Sequence, residues 1–134
     1  MKGIISSNRP SPRFLEVSYL FILCLLFISS LELNAASRYW IGNGSNTSWN
    51  NTANWSATTG GAGGSSVPVS TDDVTFDGGG TGKCQIDATV NIKSITVATA
   101  FTDTIFQNAY TITLGTTASA FSGGKFMGSS SSIT

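Results

Sequence analysis

The sequence predicts an all-β protein: a parallel β-helix (β-solenoid) that starts with a tryptophan-rich N-terminal cap, after a cleaved signal peptide. Three observations carry this prediction. Short apolar stretches alternate with polar residues at a period of two, as in strands that bury one face. β-Branched residues are frequent and leucine is nearly absent downstream of residue 36, which favours strands over helices. Apolar residues also recur at intervals of about 20 positions, as in stacked repeats.

Residues 1–36 are predicted to be a secretory signal peptide. The stretch from Val17 to Leu31 is apolar and uncharged, and basic residues precede it. A basic start, an apolar centre and small residues at the end are the three parts of such a leader. Cleavage would follow Ala35 or Ala36. A membrane anchor is the alternative, but a spanning helix needs about 20 apolar residues. We therefore favour cleavage, with membrane contact only through the leader and a secreted or cell-surface location.

The composition downstream of residue 36 excludes several classes of function. Basic and acidic residues nearly balance there, and histidine and glutamate are absent. A surface that follows nucleic-acid phosphates needs a basic excess, so nucleic acid is not an expected partner. Histidine is the commonest general base and a frequent metal ligand. Cys84 is the only cysteine in this part of the chain, so it cannot form an intrachain disulfide. No cofactor is predicted.

Residues 37–66 are predicted to form the cap and a loop that follows it. All the tryptophans, Trp40, Trp49 and Trp55, lie in a cassette rich in Gly, Asn and Ser. Indole offers a large apolar surface, and loop composition provides little else to bury. The cassette is therefore expected to be held as a structural unit. The stretch GGAGGSS that follows is flexible by composition.

Residues 67–134 are predicted to form the solenoid coils. The apolar positions of residues 74–76 and 110–114 alternate, and those of 90–92 and 95–97 have opposite parity. This change of phase indicates a corner between two strands. Short strands separated by corners fit either a β-sandwich or a solenoid.

The spacing of apolar residues favours the solenoid over the sandwich. Four pairs carry the period: Ile92 and Ile112, Phe101 and Phe121, and Phe106 and Phe126 at twenty positions, and Ile112 and Ile133 at twenty-one. About two coils can be counted, whereas a stable solenoid needs about three or more. We therefore expect this chain to be the N-terminal part of a longer protein.

Three segments downstream of the leader carry a resemblance to a known class of protein. They are YWIGNGSNTSWNNTANWS, GGAGGSSVPVSTDDVTFDG and CQIDATVNIKSITV. Together they resemble the N-terminal modules of large secreted bacterial surface proteins, adhesin-like parallel β-helix proteins found in Bacteroidetes and related groups. The resemblance implies an exported protein with an adhesive or structural role. It implies no catalytic residues.

The tryptophans have two interpretations. Trp40, Trp49 and Trp55 could form a ligand-binding platform on which sugar rings stack, which would make the chain a glycan-binding module. They could instead cover the open end of the first coil. We favour the cap, because a solenoid physically requires one.

Asp72, Asp73 and Asp77 form the densest carboxylate group and are the candidate metal ligands. Calcium takes about 6–8 oxygen ligands, but their spacing departs from the D-x-[DN]-x-[DN]-G pattern. Carboxylates at such positions also accept hydrogen bonds from turn N–H groups, and we favour that role.

The predicted function is therefore a non-catalytic, adhesin-like or structural protein that binds glycans or surface proteins through an extended solenoid surface. The remaining alternative is the N-terminal fragment of a polysaccharide-degrading β-helix enzyme. Glycosidases use two carboxyl groups about 5–9.5 Å apart, and the sequence specifies no such pair.

Overall fold

The computed structural model describes Gly3 and residues 35–43, 45–128 and 133–134. The predicted leader lies outside the described residues except for Gly3, Ala35 and Ala36. The chain divides into two compact units, Met1–Leu33 and Asn34–Thr134, and the second contains nearly all that is described. Among the described residues, no helix has the length and hydropathy that a membrane crossing requires.

Short strands account for almost all of the regular structure among the described residues, as the predicted all-β fold requires. The one helical element there is a 3₁₀ turn at Thr52–Asn54. The strands are β1 (Ser37–Trp40), β2 (Trp55–Ser56), β3 (Asp73–Phe76), β4 (Cys84–Gln85), β5 (Val90–Ile92), β6 (Ser94–Val97), β7 (Thr104–Phe106), β8 (Ile112–Leu114), β9 (Ala120–Phe121) and β10 (Lys125–Met127).

The strands form three small sheets. The first has the order β2-β1-β3-β6-β9, the second β10-β7-β4, and the third β5-β8. The β1–β2 pair is antiparallel and the other strand pairs are parallel. From β3 onward, consecutive strands belong to the first, second and third sheets in turn, and this order repeats. Two isolated parallel bridges, Ser48 to Gln85 and Ile112 to Ile133, continue the pattern.

The register of the parallel pairs corrects the predicted period. Val74 pairs with Ile95, and Cys84 with Ile105, at twenty-one positions. The interval is twenty-two between β5 and β8 and twenty-four between β6 and β9.

Three of the four predicted matches are therefore wrong in register. Ile92 pairs with Leu114, Phe121 with Val97, and Phe126 with Ile105. The predicted match of Ile112 with Ile133 is confirmed. The predicted corner is also confirmed, because Lys93 separates β5 from β6 and these strands lie in different sheets.

The inward side chains of the three sheets meet in one contiguous core. Along β3 and β5, buried and more exposed residues alternate, as expected for strands that bury one face. Cys84 is fully buried among these side chains, where it packs as a small apolar residue. The buried apolar strand residues of the core are Trp40, Trp55, Val74, Phe76, Cys84, Val90, Ile92, Ile95, Val97, Ile105 and Ile112.

Candidate functional site

The fold brings the three tryptophans together through a tight return of the chain. Trp40 ends β1 and Trp55 begins β2, and the two are partners in the antiparallel register. Residues 41–54 connect the two strands and end in the 3₁₀ turn, which the side chain of Asn51 caps by accepting a hydrogen bond from the N–H of Ala53 at 3.0 Å. Asparagine is favoured at such a cap because its side chain accepts a backbone bond. Trp49 lies on the same return.

The indole rings pack edge to face around Trp55. The Trp40 and Trp55 ring centroids are 5.2 Å apart at 77°, and those of Trp49 and Trp55 are 4.6 Å apart at 71°. Phe76 of β3 stacks on Trp40 at 5.7 Å and continues to Phe101 at 5.1 Å. These distances lie in the favourable range for aromatic pairs, about 4.5–7 Å. We call Trp40, Trp49, Trp55 and Phe76 the aromatic cluster.

The indole N–H groups of Trp40 and Trp55 are hydrogen-bonded inside the protein. Nε1 of Trp55 donates to the carbonyl oxygen of Trp49 at 2.7 Å, and Nε1 of Trp40 donates to that of Gly82 at 3.1 Å. Each tryptophan is at most 2% exposed. A sugar-stacking platform needs an open ring face, and none of these three residues offers one. Their burial against Phe76 instead fits the cap interpretation.

An asparagine frame holds the loop that carries Trp49. Nδ2 of the buried Asn54 donates to the carbonyl oxygens of Asn46 and Ser48, both at 2.9 Å. The side-chain oxygen of Asn46 accepts hydrogen bonds from the N–H of Ser48 and from Nδ2 of Asn51. The sequence showed only that this stretch has loop composition. The repeated asparagines of this stretch were the feature that could have indicated a fixed loop, because their side chains both donate and accept hydrogen bonds.

Gly80 allows a second segment to lie directly on the cluster. A Cβ atom at this position would lie 1.9 Å from the carbonyl oxygen of Trp40, a distance no side chain tolerates. Only glycine therefore permits this close approach, and the Gly-rich stretch after β3 covers Trp40 by this means.

Asp72 is buried at the start of β3, where it binds backbone groups. Its Oδ2 accepts a hydrogen bond from the N–H of Val69 at 3.1 Å, and its Oδ1 accepts one from the N–H of Ala36, also at 3.1 Å. Nε of Arg38 lies 3.8 Å from Oδ2. The bond to Val69 confirms the predicted turn role for this carboxylate.

Asp73 and Asp77 have other partners, so the three carboxylates do not converge. Asp73 accepts hydrogen bonds from Nζ of Lys93 at 2.8 Å and from Oγ of Ser94 at 2.5 Å. The bond from Lys93, followed by that from Ser94, lowers the pKa of Asp73 below its usual value. Asp77 accepts hydrogen bonds from Oγ1 of Thr59 and from the N–H of Gly79.

The structure therefore gives the calcium hypothesis no oxygen cluster at Asp72, Asp73 and Asp77. Within the part of the chain that is described, no three His, Cys, Asp or Glu side chains form a group that could hold a metal ion. The physical reason is that each carboxylate already has its own donors.

Comparisons of the chain with protein-family models, with curated proteins and with solved structures find no match. The resemblance to adhesin-like surface modules therefore has no identified relative from which a residue's role could be transferred. The roles given above rest on the geometry of this chain alone.

Proposed function

We propose that this chain is an exported, secreted or cell-surface protein with an adhesin-like or structural, non-catalytic role, and that its described part begins a parallel β-solenoid. One observation supports the architecture most directly. The chain passes through three parallel ladders in a fixed order, and paired strands lie twenty-one to twenty-four positions apart. A solenoid produces this order because each coil stacks on the one before it.

The aromatic cluster, which lies before the repeating strands in the sequence, supports the same proposal. β1 pairs in parallel with β3 thirty-six positions later, at Arg38 and Val74. The strand that begins the cassette therefore lies next to the first of the repeating strands in the first sheet. The three tryptophans pack on Phe76, an inward residue of β3. These two observations support the role of a terminal cap.

The outward side chains support binding over an extended surface. Thr75 and Thr96 are register partners in the first sheet, and Asn91 and Thr113 are partners in the third. They form short rows of neutral hydroxyl and amide groups with the spacing of neighbouring strands, about 4.8 Å. Such rows offer repeated hydrogen bonds to a glycan or to another protein.

Neither alternative function has comparable support. A glycan platform built on Trp40, Trp49 and Trp55 would need exposed indoles, and these are buried. A polysaccharide-cleaving site would need two free carboxyl groups facing one cleft, and the densest carboxylate group, Asp72, Asp73 and Asp77, supplies no such pair because each is held by separate donors.

The proposal is tested with the full chain, expressed with its own leader in an exporting bacterium. We expect the protein in the medium or at the cell surface, and we expect the purified protein to bind immobilised mucin glycoprotein. Thr96→Lys alone should weaken that binding less than about threefold. Lysine at Thr75, Thr96, Asn91 and Thr113 together should weaken it more than about tenfold.

Two results would contradict the proposal in different ways. Retention of the chain in the cytoplasm would remove the export half. Loss of all binding through one substitution at Thr96, with the circular dichroism spectrum unchanged, would show a focused site rather than an extended surface. Lysine at the exposed Thr102, which is outside the strands, is the matched control for added charge.

A further inference from the structure

Ala36 is held at both of its backbone groups, although it precedes the first strand. Its N–H donates to Oδ1 of Asp72 at 3.1 Å, and its carbonyl oxygen accepts a hydrogen bond from the N–H of Asp73 at 3.0 Å. Ala35, the residue before it, is exposed. The fold therefore engages the chain from Ala36 onward.

Asp72 is a buried carboxylate whose direct hydrogen-bond donors are neutral. Its side chain is 3% exposed, and the donors are the backbone N–H groups of Ala36 and Val69. The nearest cation is Arg38, with Nε at 3.8 Å. The guanidinium of Arg38 gives its hydrogen bonds to Ser66 and to the carbonyl oxygen of Ser37 instead. A carboxylate removed from water is costly to bury unless a charge pairs with it closely.

We propose that the leader is removed at the Ala35–Ala36 bond and that the new α-ammonium group of Ala36 forms an ion pair with Asp72. A leader peptidase adds water across the amide, so Ala35 leaves with a carboxylate and Ala36 keeps an amine. That amine is protonated near neutral pH, because an α-amino group has a pKa of about 7.7–8.0. The neutral donor that Asp72 now has thereby becomes a charged one, which makes a stronger hydrogen bond.

Of the two cleavage points that the sequence left open, only one keeps these contacts. Cleavage after Ala36 would remove both backbone contacts that this residue makes with Asp72 and Asp73. Cleavage after Ala35 keeps both and adds the charge. Processing thus completes the fold at the start of β1. This inference depends on the export that we propose above.

The test uses the full chain with its own leader, expressed in an exporting bacterium. Mass spectrometry identifies the first residue of the recovered protein, which we expect to be Ala36. Thermal unfolding then compares Asp72→Asn in the processed protein with Asp72→Asn in a form that carries Ala35→Leu, which removes a small residue that leader cleavage needs, and that mass spectrometry shows to keep its leader. We expect Asp72→Asn to lower Tm by about 4 °C or more beyond its effect in the uncleaved form.

Asp73→Asn is the matched control, because its carboxylate binds Lys93 and Ser94 rather than Ala36. Its effect on Tm should be the same in both forms. If Asp72→Asn does not fold, the acylation rate of the Ala36 amine at neutral pH replaces the Tm measurement. That rate should be at least about tenfold lower in the folded processed protein than in the denatured one.

Each contrary outcome is distinct. A chain that is exported but starts at Ser37 or later overturns the ion pair and leaves export standing. The same holds for a chain that starts at Ala36 when Asp72→Asn has equal effects in both forms, or when the amine is acylated at the denatured rate. A chain that is never processed overturns this inference together with the export proposal.

Discussion

The indole of Trp55 shows at the scale of one residue what the cap requires. It contacts Trp40, Trp49 and Phe76, and its N–H is bonded inside the protein. Removing the ring would leave a cavity and an unpaired carbonyl oxygen at Trp49. The surrounding loop can collapse only in part, because its asparagine frame fixes it.

We expect Trp55→Ala to lower the free energy of unfolding by about 3–5 kcal/mol, as for other buried aromatic residues. Chemical denaturation followed by circular dichroism measures this change. Tyr110→Ala is the control, because Tyr110 is 38% exposed and should lose less than about 1 kcal/mol. A loss at Trp55 no larger than that at Tyr110 would rule out the cap.

Asp73 makes stability depend on pH. Because its pKa is lowered in the folded protein, the folded state keeps the carboxylate ionised at a lower pH than the unfolded chain does. The stabilisation is therefore complete above the ordinary aspartate pKa, about 3.9. It is lost as the pH falls through the lower pKa of the folded state. Asp73 and Lys93 are each 37% exposed, so solvent screens the pair and the effect is small.

Thermal unfolding of the wild type and of Asp73→Asn across acidic pH checks this prediction. The difference in Tm should be largest near neutral pH and should shrink as the pH falls below the ordinary aspartate pKa, about 3.9. Lys93→Met should flatten the same pH dependence, because it removes the main cause of the shift. A difference that grows as the pH falls would have the wrong sign.

Cys84 should be chemically inert while the protein is folded. Burial raises the pKa of its thiol well above the usual value, and the charge of Asp87 raises it further. The reactive thiolate is therefore scarce, and reagents cannot reach it. Labelling by a thiol reagent near pH 8 should be on the order of a hundredfold slower than in denaturant.

Mass spectrometry follows this labelling at Cys84 itself. The double variant Cys84→Ala with Gln85→Cys is the control, because position 85 is the exposed neighbour on the same strand. Its thiol should react at nearly the rate found in denaturant. Rapid labelling of native Cys84 would mean that β4 opens readily.

At the scale of the element, the register between β5 and β8 can be tested directly. Asn91 and Thr113 are register partners on parallel strands, and partners of this kind come within the Cα separation that a disulfide accepts, about 4.4–6.8 Å. Asn91→Cys with Thr113→Cys should therefore cross-link on mild oxidation. Mass spectrometry after proteolysis identifies the bond.

A control pair of cysteines tests the interval of twenty residues that the sequence predicted. An interval of twenty would place Thr111 opposite Asn91, so Asn91→Cys with Thr111→Cys should cross-link poorly if the register is twenty-two. Preferential bonding of this second pair would contradict the register described here.

The difference between the two periods shows what the sequence could predict and what it could not. Alternation around Thr75 identified Val74 and Phe76 as inward residues, because a strand repeats every two positions. The number of residues in a corner follows no such fixed repeat. The corner between β5 and β6 is Lys93 alone, whereas residues 115–119 separate β8 from β9. A fixed spacing therefore cannot describe successive circuits of the chain.

The aromatic cluster was also predictable only in part. Composition indicated that the three tryptophans would be held together, because a loop rich in Gly and Asn has little else to bury. It did not reveal Phe76 as their partner, because that contact depends on the pairing of β1 with a strand thirty-six positions later. The role of Asp72 at Ala36 was hidden for the same reason.

At the scale of the whole described unit, apolar exposure is concentrated around the last strands. Phe121 is 50% exposed, Met127 54% and Ile133 45%, whereas the tryptophans are buried. Among the described residues, β9 and β10 are also the outer strands of their sheets. Exposed apolar edges are templates for pairing with another chain.

We therefore expect a chain that starts at Ala36 to dimerise through β9 and β10 as its concentration rises. Sedimentation velocity measures the dimer fraction. Phe121→Ser with Met127→Ser should shift the population to monomers without changing the unfolding midpoint by more than a few degrees. Val69→Ser, at an exposed apolar residue outside the strands, is the control and should leave the dimer fraction unchanged.

The antiparallel strand β2 has a consequence for how such molecules can grow. It occupies the outer edge of β1 with only two residues, and its direction is opposite to that of the parallel ladder. The incoming β9 edge of another copy would therefore find no parallel strand there to extend. Head-to-tail addition is what turns paired edges into open-ended fibres. Because β2 offers only a two-residue antiparallel edge, we expect the first sheet to add further copies poorly at that end.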